Sequence, residues 1–365
     1  MQSIVTAEIR EVIEAVHYRP AISIILPFEA KVNLKRDTAH ALSVITNKLE
    51  KELAINYPED LCKKVIDKLH NITDNLDFDT TKKSIAIYVS PVFEKVLYLD
   101  FKAEEKIVVD ESFEIRDLVY GKKQMLKYLL LIISGKETRI FLGSTQKYIK
   151  IATHTPENVF AYINDPPEKV ANFSDANERR RIVLEKFLQH IDKSLENILN
   201  AYHLPLFVLA PPRVLGHFKK VSKHENHVIE YIHGNFDKSS LQELKEIMEP
   251  HIEAWKKKHQ ADVILQLDDA ASRKKLAVGI RNVWREAMLL KGHLLVVEKD
   301  FMYAAQHAAK ADLIYKPTEP INQLLYVKDA VDDVIEKVLL SGGDVEFVDN
   351  DILKSYHHIA LVLNY

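Results

Sequence analysis

The chain has 365 residues, of which 47% are hydrophobic and 28% are charged, and its net charge is −3. This composition excludes a disordered chain and is typical of a globular protein with two or three domains. The longest apolar run, Tyr128–Ile133, is too short to span a bilayer, and the N-terminus shows no signal-peptide pattern. A single cysteine, Cys62, excludes an internal disulfide. We therefore expect a cytoplasmic protein with no membrane partner and a packed, unreactive Cys62.

Charge is distributed unevenly along the chain. The first 118 residues have a net charge of −5, residues 119–236 a net charge of +6, and residues 237–365 a net charge of −4. A basic middle between two acidic ends predicts that the middle part contacts a polyanion, if any part does. Ordinary scatter in surface charge is the alternative explanation.

The first 118 residues predict one α/β domain. A buried strand, "AISIILPF", ends at a proline and is followed by two amphipathic patterns, Asp37–Ala54 and Glu59–Leu76. Three strand-like runs come next, "SIAIYVS", "KVLYLDF" and "KIVVDESF". Helix periodicity followed by β-rich runs predicts two helices and a sheet of four strands.

Residues 119–236 predict a second domain built around one long helix. A β-meander, "YLLLIISGKETRIFLGSTQKYIKI", precedes a polar loop and a helix for which Ser174 is a suitable N-cap. Apolar residues at three- and four-residue spacing predict that one face of this helix is buried. A strand, "LPLFVLAPP", a short helix and an edge strand, "HVIEYIHG", complete the predicted domain. The order meander, long helix, strand, helix, strand is RNase H-like.

The last domain, residues 237–365, begins with a predicted helix over Leu241–His259. It then repeats one plan twice, a helix, a glycine stop and an apolar strand, with Gly292 in the first repeat and Gly342-Gly343 in the second. Alternating helices and strands predict a parallel or mixed sheet covered on both faces. We expect Gly342 or Gly343 to supply a left-handed helix cap, which makes the pair structural.

These motifs resemble a known family. The endings "GGDVEFVD" and "IALVLNY", with the earlier "GIRNVWREAMLLKGHLLVVEKDF", are similar to the L7Ae-like last domain of Pelota and the archaeo-eukaryotic release factors. The middle part resembles the RNase H-like central domain, and the start resembles the bacterial branch of the superfamily. The resemblance implies three α/β domains: N-terminal residues 1–118, RNase H-like residues 119–236 and L7Ae-like residues 237–365.

The chain departs from this family at the residues that carry its chemistry. Release factors present Gly-Gly-Gln just before the long helix, where "NDPPEKVANFSDANERRRIV" contains neither glycine nor glutamine. The Asn-Ile-Lys-Ser decoding motif is also absent, since Asn71-Ile72-Thr73 is followed by Asp74. We therefore expect a non-catalytic factor that associates with the ribosome or structured RNA in rescue, stress or hibernation. The alternatives are a cleft enzyme acting on a small molecule or nucleic acid, and a protein-interaction module that binds through the C-terminal domain.

Cations along the middle domain form the candidate RNA-binding surface. Phosphate contacts by arginine and lysine release counterions and supply affinity without sequence preference. The alternative is a solvated helix face on which Glu178, Glu185 and Glu196 are local partners. The candidates are Arg179, Arg180, Arg181, Lys186 and Lys193 on the long helix, and Arg213, Lys219, Lys220 and Lys223 after it. Arg180 continues the apolar stripe, so its stem could pack against the sheet.

Other candidate sites are weaker. His224 and His227 lie three residues apart and His357 and His358 are adjacent, but zinc needs three or four fixed ligands. Neighbouring carboxylates, Asp268-Asp269 and Asp332-Asp333, point about 100° apart on a helix and are read as solvated or N-terminal helix charges. We assign no catalytic residue, no metal site and no cofactor.

Overall fold

The structure is a computed structural model. It describes residues 6–27, 34–77, 80–134, 138–144, 147–152, 176–308, 310, 312–317 and 326–364, without the side chains of 34–37 and 176–179. Two compact units are present. The middle unit comprises residues 125–259, and the two-segment unit combines Ser3–Gln124 with Gln260–Tyr365. The three domain ranges expected from the sequence stay a prediction, while the mixed α/β class is confirmed.

The first segment of the two-segment unit has the predicted helices and strands. Its four strands form an antiparallel sheet in the order β3-β2-β1-β4. Apolar side chains of β1, α2 and α3, such as Ile24, Leu49 and Val65, form its core. Cys62 is 8% exposed on α3, so it is a packed residue as predicted. The elements are α1 (Ala7–Ile13), β1 (Ala21–Pro27), α2 (Leu34–Asn56), α3 (Glu59–Asp74), β2 (Ser84–Val89), β3 (Glu94–Leu99), β4 (Lys106–Asp110) and α4 (Arg116–Gln124).

The middle unit contains the predicted meander, long helix, strand, short helix and strand in that order. Its elements are β5 (Lys127–Ile133), β6 (Thr138–Ser144), β7 (Tyr148–Lys150), α5 (Ala176–Tyr202), β8 (Leu206–Ala210), α6 (Pro212–Val221), β9 (Val228–His233) and the first part of α7 (Leu241–Ser272), which continues into the two-segment unit after His259. The sheet order is β7-β6-β5-β8-β9, with β5, β6 and β7 antiparallel and β5, β8 and β9 parallel. β9 is an edge strand, as predicted. The proposed Ser174 cap lies outside the described residues.

Helices cover both faces of the middle sheet. Leu188, Ile191 and Leu195 of α5 pack with α6 against one face. Leu244, Met248 and Ile252 of α7 pack against the other. The helix predicted to end at His259 continues to Ser272, because helix-forming residues follow "WKKKHQ" without a glycine or proline. Among the described residues, no helix is both long enough and apolar enough to cross a bilayer.

The second segment of the two-segment unit forms a mixed sheet in the order β10-β16-β11-β15. β11 and β15 are parallel, and β16 runs antiparallel between β10 and β11. A separate antiparallel sheet has the order β13-β12-β14. The elements are β10 (Leu276–Val278), α8 (Ile280–Met288), β11 (Gly292–Glu298), β12 (Ala305–His307), β13 (Ile314–Tyr315), β14 (Tyr326–Val327), α9 (Ala330–Leu340), β15 (Asp344–Val348) and β16 (Ile359–Leu363).

The glycines of this segment have three different roles. Gly342 has a φ of +81° directly after α9, so it is the predicted left-handed cap. Gly343 allows a close approach, because a Cβ there would lie 2.8 Å from Val338 Cγ1 and 2.9 Å from the Gly292 carbonyl oxygen. The prediction that Gly292 ends a helix is wrong. Gly292 begins β11, and the left-handed residue after α8 is Leu290, with a φ of 54°.

We expect both glycines of the pair to stabilise the fold. Gly342→Ala should lower the free energy of unfolding by about 1 kcal/mol, because a Cβ disfavours positive φ. Gly343→Ala should lower it by about 1–3 kcal/mol, because its Cβ would press on backbone atoms. Urea titration measures both values. A stability equal to wild type for both variants would show that the pair has another role.

Candidate nucleic-acid interface

The candidate interface lies on the side of the middle sheet that α5 and α6 cover. The apolar stripe of α5 faces the sheet, although Leu184, in its first turns, is only partly buried. Val214, Leu215 and Phe218 hold α6 against the same sheet face. The polar sides of both helices therefore face away from the sheet.

The cations of α5 are mostly exposed. Arg180, Arg181 and Lys193 are exposed, and Lys186 is half-buried. Arg180 extends beyond the well-packed part of the stripe, so its side chain reaches solvent although its position continues that stripe. Arg181 Nε lies 3.9 Å from Glu185 Oε1, so it has the local partner that the alternative reading requires. The side chain of Arg179 lies outside the described residues.

The cations of α6 and the following turn are exposed as well. Arg213, Lys219, Lys220 and Lys223 all reach solvent. Lys219 Nζ lies 4.3 Å from the centre of the Tyr231 ring, a cation–π contact with β9. Burial raises the pKa of Tyr231, so this phenol stays neutral at physiological pH.

These side chains form what we call the basic face. Within the part of the chain that the structure describes, Lys186, Lys193, Arg213 and Lys220 form no ion pair. An exposed and unpaired cation costs little to bring to a phosphate, because no existing partner must be displaced. The basic face consists of Arg180, Arg181, Lys186 and Lys193 on α5 and Arg213, Lys219, Lys220 and Lys223 on or just after α6.

A buried carboxylate connects the two helices of the basic face. Asp192 of α5 is 6% exposed and accepts a hydrogen bond from Ser222 Oγ at 2.8 Å. The backbone N–H of Lys223 lies 3.3 Å from both Asp192 carboxylate oxygens. These bonds hold the end of α6 against α5 and fix the position of the Lys223 backbone. Asp192 was not predicted from the sequence, because its burial depends on where the end of α6 packs.

The histidine pairs noted in the sequence lie beside carboxylates in the described part of the chain. His224 Nε2 lies 3.9 Å from Asp192 Oδ2, and the rings of His224 and His227 are 6.4 Å apart. His358 Nδ1 lies 2.8 Å from Glu298 Oε2 and its ring stacks on Phe301. Among the described residues, no three histidine, cysteine, aspartate or glutamate side chains are grouped to hold a metal ion.

Asp332 and Asp333 lie in the first turn of α9, so their interpretation as N-terminal helix charges is confirmed, but Asp332 is buried and is not a solvated charge. Asp332 Oδ1 accepts hydrogen bonds from the backbone N–H groups of Ile115 and Arg116, at 3.1 and 2.7 Å. Arg116 Nη1 donates to Asp329 Oδ2 at 3.1 Å, and both side chains are about 4% exposed or less. Asp268 and Asp269 are exposed, as predicted. The buried carboxylates have internal partners, which is a structural role.

Asp333, which follows Asp332 in α9, is a third carboxylate at the start of this helix. It accepts a hydrogen bond from Ser112 Oγ at 2.8 Å. Burial raises its pKa to about 7, and neighbouring Glu336 and Asp110 act in the same direction while His17 opposes them. The folded state therefore holds a proton that the unfolded state loses near pH 4.

This proton predicts the pH dependence of stability. The free energy of unfolding of the wild type should decrease as the pH rises from about 4 to about 7, because the unfolded state binds fewer protons than the folded state in this range. Asp333→Asn removes this term and should raise the free energy of unfolding at pH 8 by about 1–2 kcal/mol relative to wild type. Urea titrations of both proteins at pH 4, 6 and 8 measure it. Parallel pH profiles of the two proteins would contradict the prediction.

A shallow pocket lies beside the β13-β12-β14 sheet. Its lining includes His307, Lys310, Tyr315 and Lys316. None of the described residues that line it is a carboxylate.

A comparison with known families supports the resemblance to the archaeo-eukaryotic release-factor superfamily. The model of "Bacterial archaeo-eukaryotic release factor family 3" matches residues 127–289. This span includes all strands of the middle sheet, the long helix α5 and the basic face. The predicted resemblance to the release-factor-like family is confirmed.

Solved structures of the superfamily are also similar to the chain. Archaeal Pelota, in a model of ribosome-bound Pelota and ABCE1, shares 12% identity at a TM-score of 0.45, with 77% of each chain covered. Dom34 of S. cerevisiae shares 12% identity at a TM-score of 0.39, with 80% of this chain and 76% of Dom34 covered. The archaeal termination factor aRF1 shares 11% identity at a TM-score of 0.25, with 98% and 96% covered. No curated protein matches.

Proposed function

We propose that the protein is a ribosome-associated translation factor that uses the basic face to contact ribosomal RNA or tRNA. Three exposed cations within the span that matches the family, Lys193, Arg213 and Lys220, form no ion pair with a described residue, and this observation carries the proposal. Its role would be ribosome rescue, stress response or hibernation. A protein partner of the C-terminal domain stays a prediction.

The arrangement of charge suits a phosphate backbone better than a small ligand. The cations are spread over two helices and the turn after α6, and not gathered in a pocket. Each phosphate that such a cation neutralises releases counterions, so affinity depends strongly on salt and weakly on sequence. The hydrogen bonds of Asp192 fix the end of α6 relative to α5, so that cations of both helices can contact one RNA segment.

Co-sedimentation with ribosomes tests the proposal. We expect tagged full-length protein to pellet with purified bacterial ribosomes at about 0.05 M salt and to leave the pellet progressively up to about 0.2 M. An unrelated protein of similar charge, −3 overall, serves as the control for trapping. Absence from the ribosomal pellet at every salt concentration would refute the proposed function.

We also propose that the protein does not release peptides, because the sequence contains no Gly-Gly-Gln. The release of formyl-methionine from ribosomes loaded with formyl-methionyl-tRNA should equal the rate without any factor. A true release factor positions water at the peptidyl ester by this motif, and no other residue of the chain has been assigned that role. Release well above the factor-free rate would show that another residue supplies this chemistry.

A further inference from the structure

An exposed glycine lies in the middle of the basic face. Gly216 is the fifth of ten residues of α6 and is exposed. No described atom lies within 4 Å of the position that its Cβ would occupy. Glycine destabilises a helix interior relative to alanine, and neither packing nor backbone conformation requires it here.

Gly121, a glycine within α4, differs from Gly216 in its surroundings. A Cβ on Gly121 would lie 2.1 Å from Phe101 Cε2, so an aromatic ring accounts for that glycine. At Gly216 the fold supplies no such neighbour. A glycine on an exposed helix face also lets a backbone from another molecule approach closely.

The residues around Gly216 indicate what would approach. Arg213 and Lys220 lie three residues before and four residues after it, which places all three on one side of the helix. The first turn of α6 contains Arg213 and no acidic residue, and Lys219 and Lys220 lie in its last turn. Every charged side chain on this helix is therefore positive, and the partner must be anionic.

We infer that the phosphate backbone of RNA lies across α6 at Gly216, between Arg213 and Lys220. The two cations are about 10 Å apart along the helix axis, so they hold phosphates on either side of the glycine. The missing side chain lets the sugar-phosphate chain reach the helix backbone, and the Asp192 contacts keep this helix in place. The inference rests on the proposed function and specifies its contact.

Gly216→Gln tests the inference, because it should move stability and binding in opposite directions. Glutamine is a better helix former than glycine, so the melting temperature should rise. The added side chain should hold the RNA away and raise the Kd for purified ribosomes about tenfold, the size of one lost charge-assisted contact. Gly216→Ala should raise the melting temperature at least as much, because alanine is the best helix former, but should raise the Kd less, because it adds only a methyl group. Ala254→Gln, at an exposed position of α7 on the other sheet face, adds bulk and should leave the Kd unchanged.

The outcomes separate this inference from the proposed function. A wild-type Kd for Gly216→Gln, while Lys193→Glu with Lys220→Glu binds weakly, would overturn the contact and leave the proposed function standing. A lower melting temperature for Gly216→Gln would show that the glycine serves the fold, and would also overturn the inference. Wild-type binding by Gly216→Gln and by the charge-reversal variant together would remove the basic face from binding altogether.

Discussion

Reversing two charges of the basic face, Lys193→Glu with Lys220→Glu, should weaken ribosome binding roughly 50-fold at 0.1 M salt. Lys193 lies on α5 and Lys220 on α6, so the variant removes one proposed phosphate contact from each helix. The slope of log K against log salt should become less steep by about 2, because each lost contact accounts for about 0.9. Quantitative pelleting with purified ribosomes across a salt series measures both quantities.

The fold should tolerate this double substitution. Both lysines are exposed, and neither forms an ion pair with a described residue, so the melting temperature should stay close to that of wild type. Lys48→Glu with Lys63→Glu changes the net charge by the same amount on exposed positions of α2 and α3, in the two-segment unit. Ribosome affinity equal to wild type for the basic-face variant, or an equal loss in the control, would contradict a specific contact.

Lys299, in the acidic last part of the sequence, would be an unsuitable control. Its Nζ forms an ion pair with Asp349 at 3.1 Å, and its carbonyl oxygen accepts a hydrogen bond from Arg116 Nη2 at 2.6 Å. Reversal of its charge would place like charges together and lower stability as well as change net charge. The sequence shows that Lys299 is a charge, but only the fold shows that it has a partner.

Local patterns in the sequence predicted the elements of the fold well. The two helices after β1 follow from helical periodicity and the meander from β-rich runs, and both depend on residues near one another in the chain. The left-handed cap at Gly342 is likewise a local property. The end of α7 was misplaced because no capping residue marks it, and Gly292 was misread because a strand glycine and a cap glycine look alike in sequence.

The contacts of the buried polar groups could not be predicted in this way. Asp332 receives hydrogen bonds from residues more than 200 positions earlier, and no local pattern encodes such a pairing. On the basic face, exposed cations were predictable from α5 periodicity, whereas Asp192 depends on where the end of α6 packs. The sequence alone did not single out Gly216, because many helix glycines are required by a close neighbour. Only the structure shows that no described atom lies close to the Cβ position of Gly216.

Arg116→Ala should lower the free energy of unfolding by about 3–5 kcal/mol, the largest effect that we expect of any single substitution. Arg116 is buried, and its guanidinium donates to Asp329 Oδ2 and to the carbonyl oxygens of Glu298 and Lys299. Truncation leaves the Asp329 carboxylate buried without its cation and removes the Arg116 donor from the Lys299 carbonyl, while the Glu298 carbonyl keeps the hydrogen bond from the Phe301 N–H. Urea titration of the full-length protein measures the loss, and Arg116→Lys, which keeps the charge without the planar fork, should lose less.

The exposed pair of Arg273 and Asp269 gives the matched control. Arg273 Nη2 lies 3.0 Å from Asp269 Oδ1, and both side chains are more than half exposed. Arg273→Ala should therefore lower stability by less than about 0.5 kcal/mol, because water solvates both groups after the pair is lost. The difference between the two Arg→Ala variants in free energy of unfolding therefore compares the loss of a buried ion pair with the loss of an exposed one. If the two alanine variants lost equal stability, the buried network around Arg116 would not hold together the two segments that form this unit.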